Sequence, residues 1–179
     1  YFVMGLKSAA YEIWEDTGGF IPDTGIVPVG SGGFLEGLFT GFESLVFAGY
    51  ATRVPKIIGV QAAACTPIHS AFIQDSDELA EVCVGETIAE GIVVQRPPRA
   101  KAVLDAIRKS GGYTVAVEEK EILDAVQRLS SSGIYVEPTS ASTLAAWLKI
   151  EKKDRENAVL ILTGSGLKTT EKYYSLLQG

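Results

Sequence analysis

Ile26-Val27-Pro28-Val29 runs directly into Gly30-Ser31-Gly32-Gly33, after which Phe34, Leu35, Leu38, Phe39, Phe42, Leu45 and Val46 fall on one helical face. A short apolar strand, a glycine turn and an amphipathic helix in that order make half of a parallel crossover unit. Pro28 has no backbone N–H, so it belongs near a sheet edge or at a strand end. Working outward, the same alternation continues. Leu6, Ala9, Ala10, Ile13 and Trp14 predict a helix over 5–17 that stops at Gly18-Gly19. Downstream, Ile57-Ile58-Gly59-Val60 reads as a strand, Val103, Ala106 and Ile107 as a helix ended by Gly111-Gly112, and Tyr113 to Val117 as a further strand. A helix through Ile122, Ala125, Val126 and Leu129 leads to a strand at Ile134-Tyr135-Val136 and a helix over 140–150. A continuous apolar strand from Ala158 to Leu162 and a last helix from near Lys168 close the pattern. Residues 66–94 are less regular: a short helix near Ile68 to Ile73, an acidic stretch from Asp75 to Glu81, and Thr87 to Val94 open between helix and strand. Alternating elements with strands apolar on both faces predict an α/β fold, a mostly parallel sheet with helices on both faces.

The chain has 179 residues, 46% hydrophobic and 21% charged, an ordinary globular composition able to bury a sizeable core. Its 16 basic against 22 acidic side chains give a net charge of −6, which counts against non-specific nucleic-acid binding. No apolar run reaches the length of a membrane span, and no basic-then-apolar leader opens the chain. Cys65 and Cys83 form no CxxC, so neither a zinc site nor a disulfide framework is indicated, and a reduced cytoplasmic setting is the default. The chain opens at Tyr1 with Met4 as its one methionine, which reads as a piece cut from something longer.

In a sheet of this kind ligands sit beyond the carboxyl ends of the strands, so the strand-to-helix turns are the places to search. At Gly30-Ser31-Gly32-Gly33, glycines let successive N–H groups converge on an anion, and the helix N-terminus adds partial positive charge. A tight turn without a ligand is the plain alternative. No lysine follows to make a P-loop, and the second strand ends Val60-Gln61-Ala62 without the acidic residue of a dinucleotide fold, so a small phosphorylated ligand or cofactor remains. Leu162-Thr163-Gly164-Ser165-Gly166-Leu167-Lys168 is a second such turn, with Ser165 or Thr163 as a simple helix cap the alternative. Val136-Glu137-Pro138-Thr139-Ser140-Ala141 is a third. There Thr139 or Ser140 would cap a helix, and Glu137 is a candidate buried carboxylate.

These three turns, in order and together with Gly59-Val60-Gln61-Ala62 and Glu86-Thr87-Ile88-Ala89, resemble the carboxyl-terminal portion of the fold-type-II pyridoxal-phosphate enzymes, and among them most closely the threonine synthases. The similarity runs from about Gly5 to Lys168 and implies the large cofactor domain, incomplete, with its remaining strands and small domain upstream. It implies pyridoxal 5'-phosphate as cofactor, its phosphate held by the backbone of Gly30, Ser31, Gly32 and Gly33. It also implies Thr163 as partner of the pyridine nitrogen, and Glu86 and Thr87 on the substrate side. A hydroxyl is a weaker partner than a carboxylate, so it need not keep that nitrogen protonated. The reaction implied is conversion of O-phosphohomoserine and water to threonine and phosphate, by a cytoplasmic enzyme that is often dimeric. Phe34, Ser165 and Thr169 depart from the asparagine, histidine and aspartate common in that family; by the resemblance they lie near the phosphate or substrate end, which leaves a changed acceptor or a divergent paralogue open. The family's Schiff-base lysine stands in a Ser-x-Lys motif upstream, and no lysine from Lys7 to Lys172 has that context. The chain alone is therefore expected to be inert. Other activities carried by the same turns are a threonine or serine dehydratase and a sulphur-transferring synthase; a non-catalytic phosphate-binding module is the alternative of another class.

The lesser features read as structural. His69, the one histidine, has no cluster around it and no metal site is expected; Cys65 and Cys83 read as half-buried apolar side chains. Trp14 and Trp147 read as helix faces against the sheet, and Glu151-Lys152-Lys153-Asp154-Arg155-Glu156 as a solvated loop.

Overall fold

The structure, a computed structural model, describes residues 1–79, 81–170 and 173. Its centre is a four-stranded parallel sheet of β1 (Thr24–Pro28), β2 (Lys56–Ala62), β3 (Tyr113–Val117) and β4 (Ala158–Leu160), in the order β3-β2-β1-β4. Thr24 pairs with Lys56 and with Ala158 on its two sides, and Ile58 pairs with Tyr113. All of β1 is buried, as a central strand between helical layers must be.

The strand period of two divides the core. Ile26, Ile58 and Val60 face one layer, with α6 (Glu119–Ser131) and α7 (Pro138–Lys149). Val27, Val29 and Ile57 face the other, with α3 (Gly33–Phe47), α4 (Pro67–Ile73) and α5 (Ala100–Lys109). The expected α/β architecture with helices on both faces is therefore what forms. Pro28 is the last residue of β1. Val29 N–H bonds Val60 on the β2 side, and Ile26 carbonyl accepts from Ile161 on the β4 side. By alternation the missing N–H of Pro28 points to the β4 side, one rung past the last β4 pair, where no ladder bond is lost.

The helix expected over 5–17 is two helices, α1 (Phe2–Leu6) and α2 (Ser8–Asp16), lying across α3. A Cβ at Gly37 would meet Leu6 Cβ at 2.5 Å, and one at Gly41 would meet Ala10 Cβ and Lys7 O at 2.7 Å. Two glycines one turn apart thus open the groove in which the pair sits.

Several expectations are corrected. Ile134-Tyr135-Val136 is not a strand: Ile134 and Tyr135 are exposed, and Val136 makes one antiparallel bridge to Ser165. Being exposed, the first two have no second layer to pack on, and β-rich composition alone does not make a ladder. The strand from Ala158 stops at Leu160 and is half-buried, because β4 is an edge of the sheet. Thr87 to Val94 holds only a 3-10 turn at Glu90–Ile92. The helix expected from Lys168 begins as a 3-10 turn at Gly166–Thr169; its continuation, like Lys172, lies outside the described residues apart from Tyr173. Neither cysteine is half-buried: Cys65 is buried and Cys83 exposed.

The expected solvated loop 151–156 carries α8 (Lys152–Arg155), and its Asp154 is only 4% exposed. Asp154 accepts from Lys56 Nζ and, at 2.9 Å, from Tyr113 hydroxyl. Burial pushes the Asp154 carboxyl up, but the bonds from Lys56 and Tyr113 outweigh it and hold it below the ordinary range. Trp147 donates Nε1–H to Arg155 carbonyl at 3.2 Å. Trp14 packs against α3's layer and stands edge-on to Tyr50.

His69 shares a hydrogen bond between Nδ1 and Thr114 Oγ1 at 2.9 Å, and burial, then the Lys149 charge, push its pKa below 6.5. A histidine with a depressed folded pKa stays neutral while the unfolded chain is already taking up protons, so stability falls as pH drops below about 6.5. The imidazole titration midpoint by proton NMR is expected below 6.5, and His69→Gln should flatten stability against pH in that window. A midpoint at or above 6.5 contradicts this.

Candidate functional site

The carboxyl ends of β1 and β4 are neighbours, so the turns that leave them lie side by side. Gly30, Gly32 and Gly33 are buried and Ser31 is exposed. Gly32 is the N-cap of α3 at φ 89, with no side-chain cap. Among the described residues, the N–H groups of Gly30, Ser31, Gly32 and Gly33 have no hydrogen-bond partner. Buried backbone donors are rarely left so, and here those of three buried glycines gather with that of Ser31 at the positive end of a fifteen-residue helix. Small-residue identity is required from behind: a Cβ at Gly30 would meet Gly91 O at 2.7 Å, and one at Gly32 would overlap Val103. Arg99 flanks the turn and its Nη1 donates to Glu36 Oε2 at 2.7 Å.

A residue that sequence reasoning passed over holds this turn in place. Gln61, at the end of β2 and fully buried, donates Nε2–H to Val29 carbonyl at 3.3 Å. Its Oε1 accepts from Ile68 N–H at 2.9 Å and His69 N–H at 3.0 Å. Thr66, the N-cap of α4, makes no side-chain cap, so Gln61 serves from the neighbouring strand. The only signal was its place, where the strand's acidic residue was sought.

The remaining turns are stitched together. Glu137 N–H bonds Gly164 carbonyl at 3.0 Å, and Ser140 Oγ accepts from Gly164 N–H at 2.9 Å. Thr163 donates its hydroxyl to Glu137 Oε1 at 3.1 Å and lies 3.3 Å from Ser140 Oγ. Thr163 is exposed, in the turn beyond β4 rather than at its end. Thr139 Oγ1 accepts from Gly91 N–H at 3.1 Å. Gly91 in turn packs against Gly30, so the 3-10 turn joins the first turn to the third. Thr139 and Ser140 do not cap α7: its N-cap is Glu137. Ser165 does cap, accepting from Leu167 N–H at 3.3 Å.

Glu86 and Thr87 sit apart, over the ends of β2 and β3. Thr87 donates to Glu119 Oε2 at 2.6 Å, and Ile88 N–H to Oε1 at 2.8 Å, which moors this irregular stretch to α6. Exposed Glu86 lines a cavity of about 290 Å³ with Glu118 and Glu119. Phe34 and Thr169 are half-buried and Ser165 is exposed.

Threonine synthase of Methanocaldococcus jannaschii is 39% identical over 169 residues, 92% of this chain and 42% of that protein. That of Synechocystis is 35% identical over 173 residues, covering 94% and 42%. The chain thus spans less than half the length of these relatives. An L-serine ammonia-lyase from Rhizomucor miehei superposes with a TM-score of 0.76 at 19% identity, over 97% of this chain and 56% of that one. A threonine deaminase from T.th. gives 0.72 at 24% identity, over 92% and 57%. Both show the shared fold. Residues 1–164 match the family described as pyridoxal-phosphate dependent enzyme, and with the glycine turn at its expected place the chain belongs to that family.

Proposed function

We propose that this chain forms the phosphate-binding and ring-nitrogen side of an enzyme that converts O-phosphohomoserine and water to threonine and phosphate. The observation that carries it is the glycine turn Gly30–Gly33, whose N–H groups lack partners among the described residues at the N-terminus of α3. The similarity to threonine synthases supports the substrate.

The residues present fit pyridoxal phosphate. Four consecutive N–H donors without partners at a helix N-terminus suit a phosphate group, and the three glycines among them leave little side chain between anion and backbone. When bound, the cofactor supplies an electron sink for carbanions formed on an amino-acid substrate. The chain's part is to bind and orient: Gly30–Gly33 grip the phosphate, Val29 and Gln61 fix that turn against the sheet, and Thr163 faces the ring nitrogen. Glu86 stands at the substrate side with Thr87 behind it, held by Glu119. The lysines among the described residues are ill placed to carry the cofactor. Lys56, Lys101, Lys149 and Lys153 pair with carboxylates, Lys7 donates to Ser44, Lys109, Lys120 and Lys152 are exposed on α5, α6 and α8, and Lys168 is exposed on the 3-10 turn.

Mixing the purified chain with pyridoxal phosphate, reducing with borohydride and mapping the peptides tests this. The expected result is reversible binding, competed by inorganic phosphate, with no single lysine labelled and no turnover of O-phosphohomoserine. Stoichiometric labelling of one lysine, or turnover by the chain alone, overturns the assignment of its part. Absence of binding overturns the cradle. Gly30→Val, filling the turn against Gly91, should abolish binding.

A further inference from the structure

β3 is an edge of the sheet, and one bond shows which of its residues face outward. Val117 carbonyl accepts from Ala63 N–H on the β2 side. By strand alternation Tyr113, Val115 and Val117 turn their backbone groups to β2, and Thr114 and Ala116 turn theirs out. Lys149 Nζ donates to Ala116 carbonyl at 3.1 Å from that outer side, as this requires. The same bond closes the edge at its carboxyl end. At its amino end Gly112 N–H bonds back to Ile107 carbonyl. One rung stays open between them: Thr114 N–H, Thr114 carbonyl and Ala116 N–H. Among the described residues neither N–H has a hydrogen-bond partner, although Thr114 is only 6% exposed.

The rung opens into a cavity of about 760 Å³ whose two ends differ in charge. Beside Ala116 stands the Lys149 ammonium. It has three protons and spends two, on Ala116 carbonyl and, at 3.0 Å, on Glu121 Oε2. At the amino end of the strand stand Glu151 and Asp154, the latter bonded to Tyr113 hydroxyl. Val115 and Ile150 make the wall between them apolar.

In a parallel ladder a residue donates to the carbonyl just before the residue it faces and accepts from the N–H just after it. A residue opposite Val115 would therefore donate to Thr114 carbonyl and accept from Ala116 N–H. A longer peptide strand would next need the Ala116 carbonyl, which Lys149 already holds. A free amino acid needs no second rung. Its carboxylate accepts from Ala116 N–H and gives the third Lys149 proton an acceptor. Its ammonium meets Thr114 carbonyl toward the acidic end. That carbonyl also receives the His69 ring N–H, and a carbonyl has two lone pairs to share. Paired residues of a ladder point their side chains to one face, so the ligand's side chain would lie with Val115 against Ile150.

We propose that this cavity binds a free α-amino acid with an apolar side chain, held as a single residue of a parallel strand against the edge of β3. The site lies away from the turn that leaves the central strand β1, and it does not rest on the cofactor reading.

The test is a titration of the purified chain, without cofactor, with L-valine, followed through its amide signals by NMR. Saturable shifts at Thr114 and Ala116 are expected. N-acetyl-L-valine amide, which has neither terminal charge, should cause none. Lys149→Met should weaken L-valine binding about tenfold or more, by removing a charge-assisted bond. Ala116→Pro deletes a donor that faces out of the sheet, so the ladder to β2 keeps its bonds and binding should be lost. A thermal melt reports the folding of each variant, and Lys149→Met decides the matter if Ala116→Pro does not fold. No response to L-valine, or shifts confined to Gly30–Gly33, overturns the proposal. Equal binding of the blocked compound also overturns it, since the edge then takes a peptide strand. So does an unchanged L-valine affinity in Lys149→Met or in folded Ala116→Pro.

Discussion

Gln61→Leu is expected to lower the free energy of unfolding by about 3 kcal/mol and to weaken cofactor uptake in the same variant. Leucine matches the buried volume but makes none of the three bonds. Ile68 and His69 lose the acceptor of their N–H groups, and Val29 carbonyl loses its donor. Each unpaired buried group costs about 1–3 kcal/mol, reduced at the α4 terminus where water can reach half-buried His69. The effect on binding follows from position. Val29 immediately precedes Gly30, so the bond from Gln61 sets the angle at which the chain enters the glycine turn. Urea unfolding and a binding titration check both parts. Gln61→Glu divides them: its carboxylate still accepts from Ile68 and His69, but it has no proton for Val29. A stability loss in Gln61→Leu below about 1 kcal/mol would show that the brace is idle.

Gln61 also marks the limit of what sequence alone makes legible. The glycine turn is readable because it is local: strand, glycines and helix are consecutive. The parallel sheet is readable for a related reason, since strands buried on both faces carry unbroken apolar runs such as Ile57-Ile58-Gly59-Val60. Gln61 acts across 32 residues to Val29 and seven to Ile68, and neither spacing has a motif. Its position is where a dinucleotide fold would carry a carboxylate, and an amide there reads in sequence as an absence.

The misread segments share a cause. Ile134-Tyr135-Val136 has strand composition but no neighbouring strand to pair with, and only a bridge at Val136 survives. Asp154 looks solvated in a run of mixed charge, until Lys56 and Tyr113, distant in sequence but at the starts of the neighbouring strands β2 and β3, give it partners. Thr87 to Val94 matches neither period because it is moored by side chains, Thr87 to Glu119 and Thr139 to Gly91, rather than by a ladder or a helix. In each case a contact long in sequence decides the local structure, and periodicity carries no record of it.

Gly32→Ala is expected to destabilise the protein by about 2–5 kcal/mol and to reduce affinity for pyridoxal phosphate by more than any surface change. Two costs combine. At φ 89 an L side chain is strained, by about 1–2 kcal/mol, and the new Cβ points into Val103 of α5, which is fully buried. Overpacking of that kind costs about 1–3 kcal/mol. Val103 cannot move away freely, because α5 packs on α3 and on the sheet. The turn must therefore open, and the N–H groups proposed to hold the anion move apart. Adding Val103→Ala should return the packing share of the stability while leaving the backbone strain, so the double substitution recovers part of the loss. If opening of the turn is what harms binding, affinity should recover by the same share. Full recovery of stability without affinity would show that the positive φ at Gly32, and not the room behind it, shapes the cradle. Unchanged stability and affinity in Gly32→Ala would remove the phosphate turn from the site altogether.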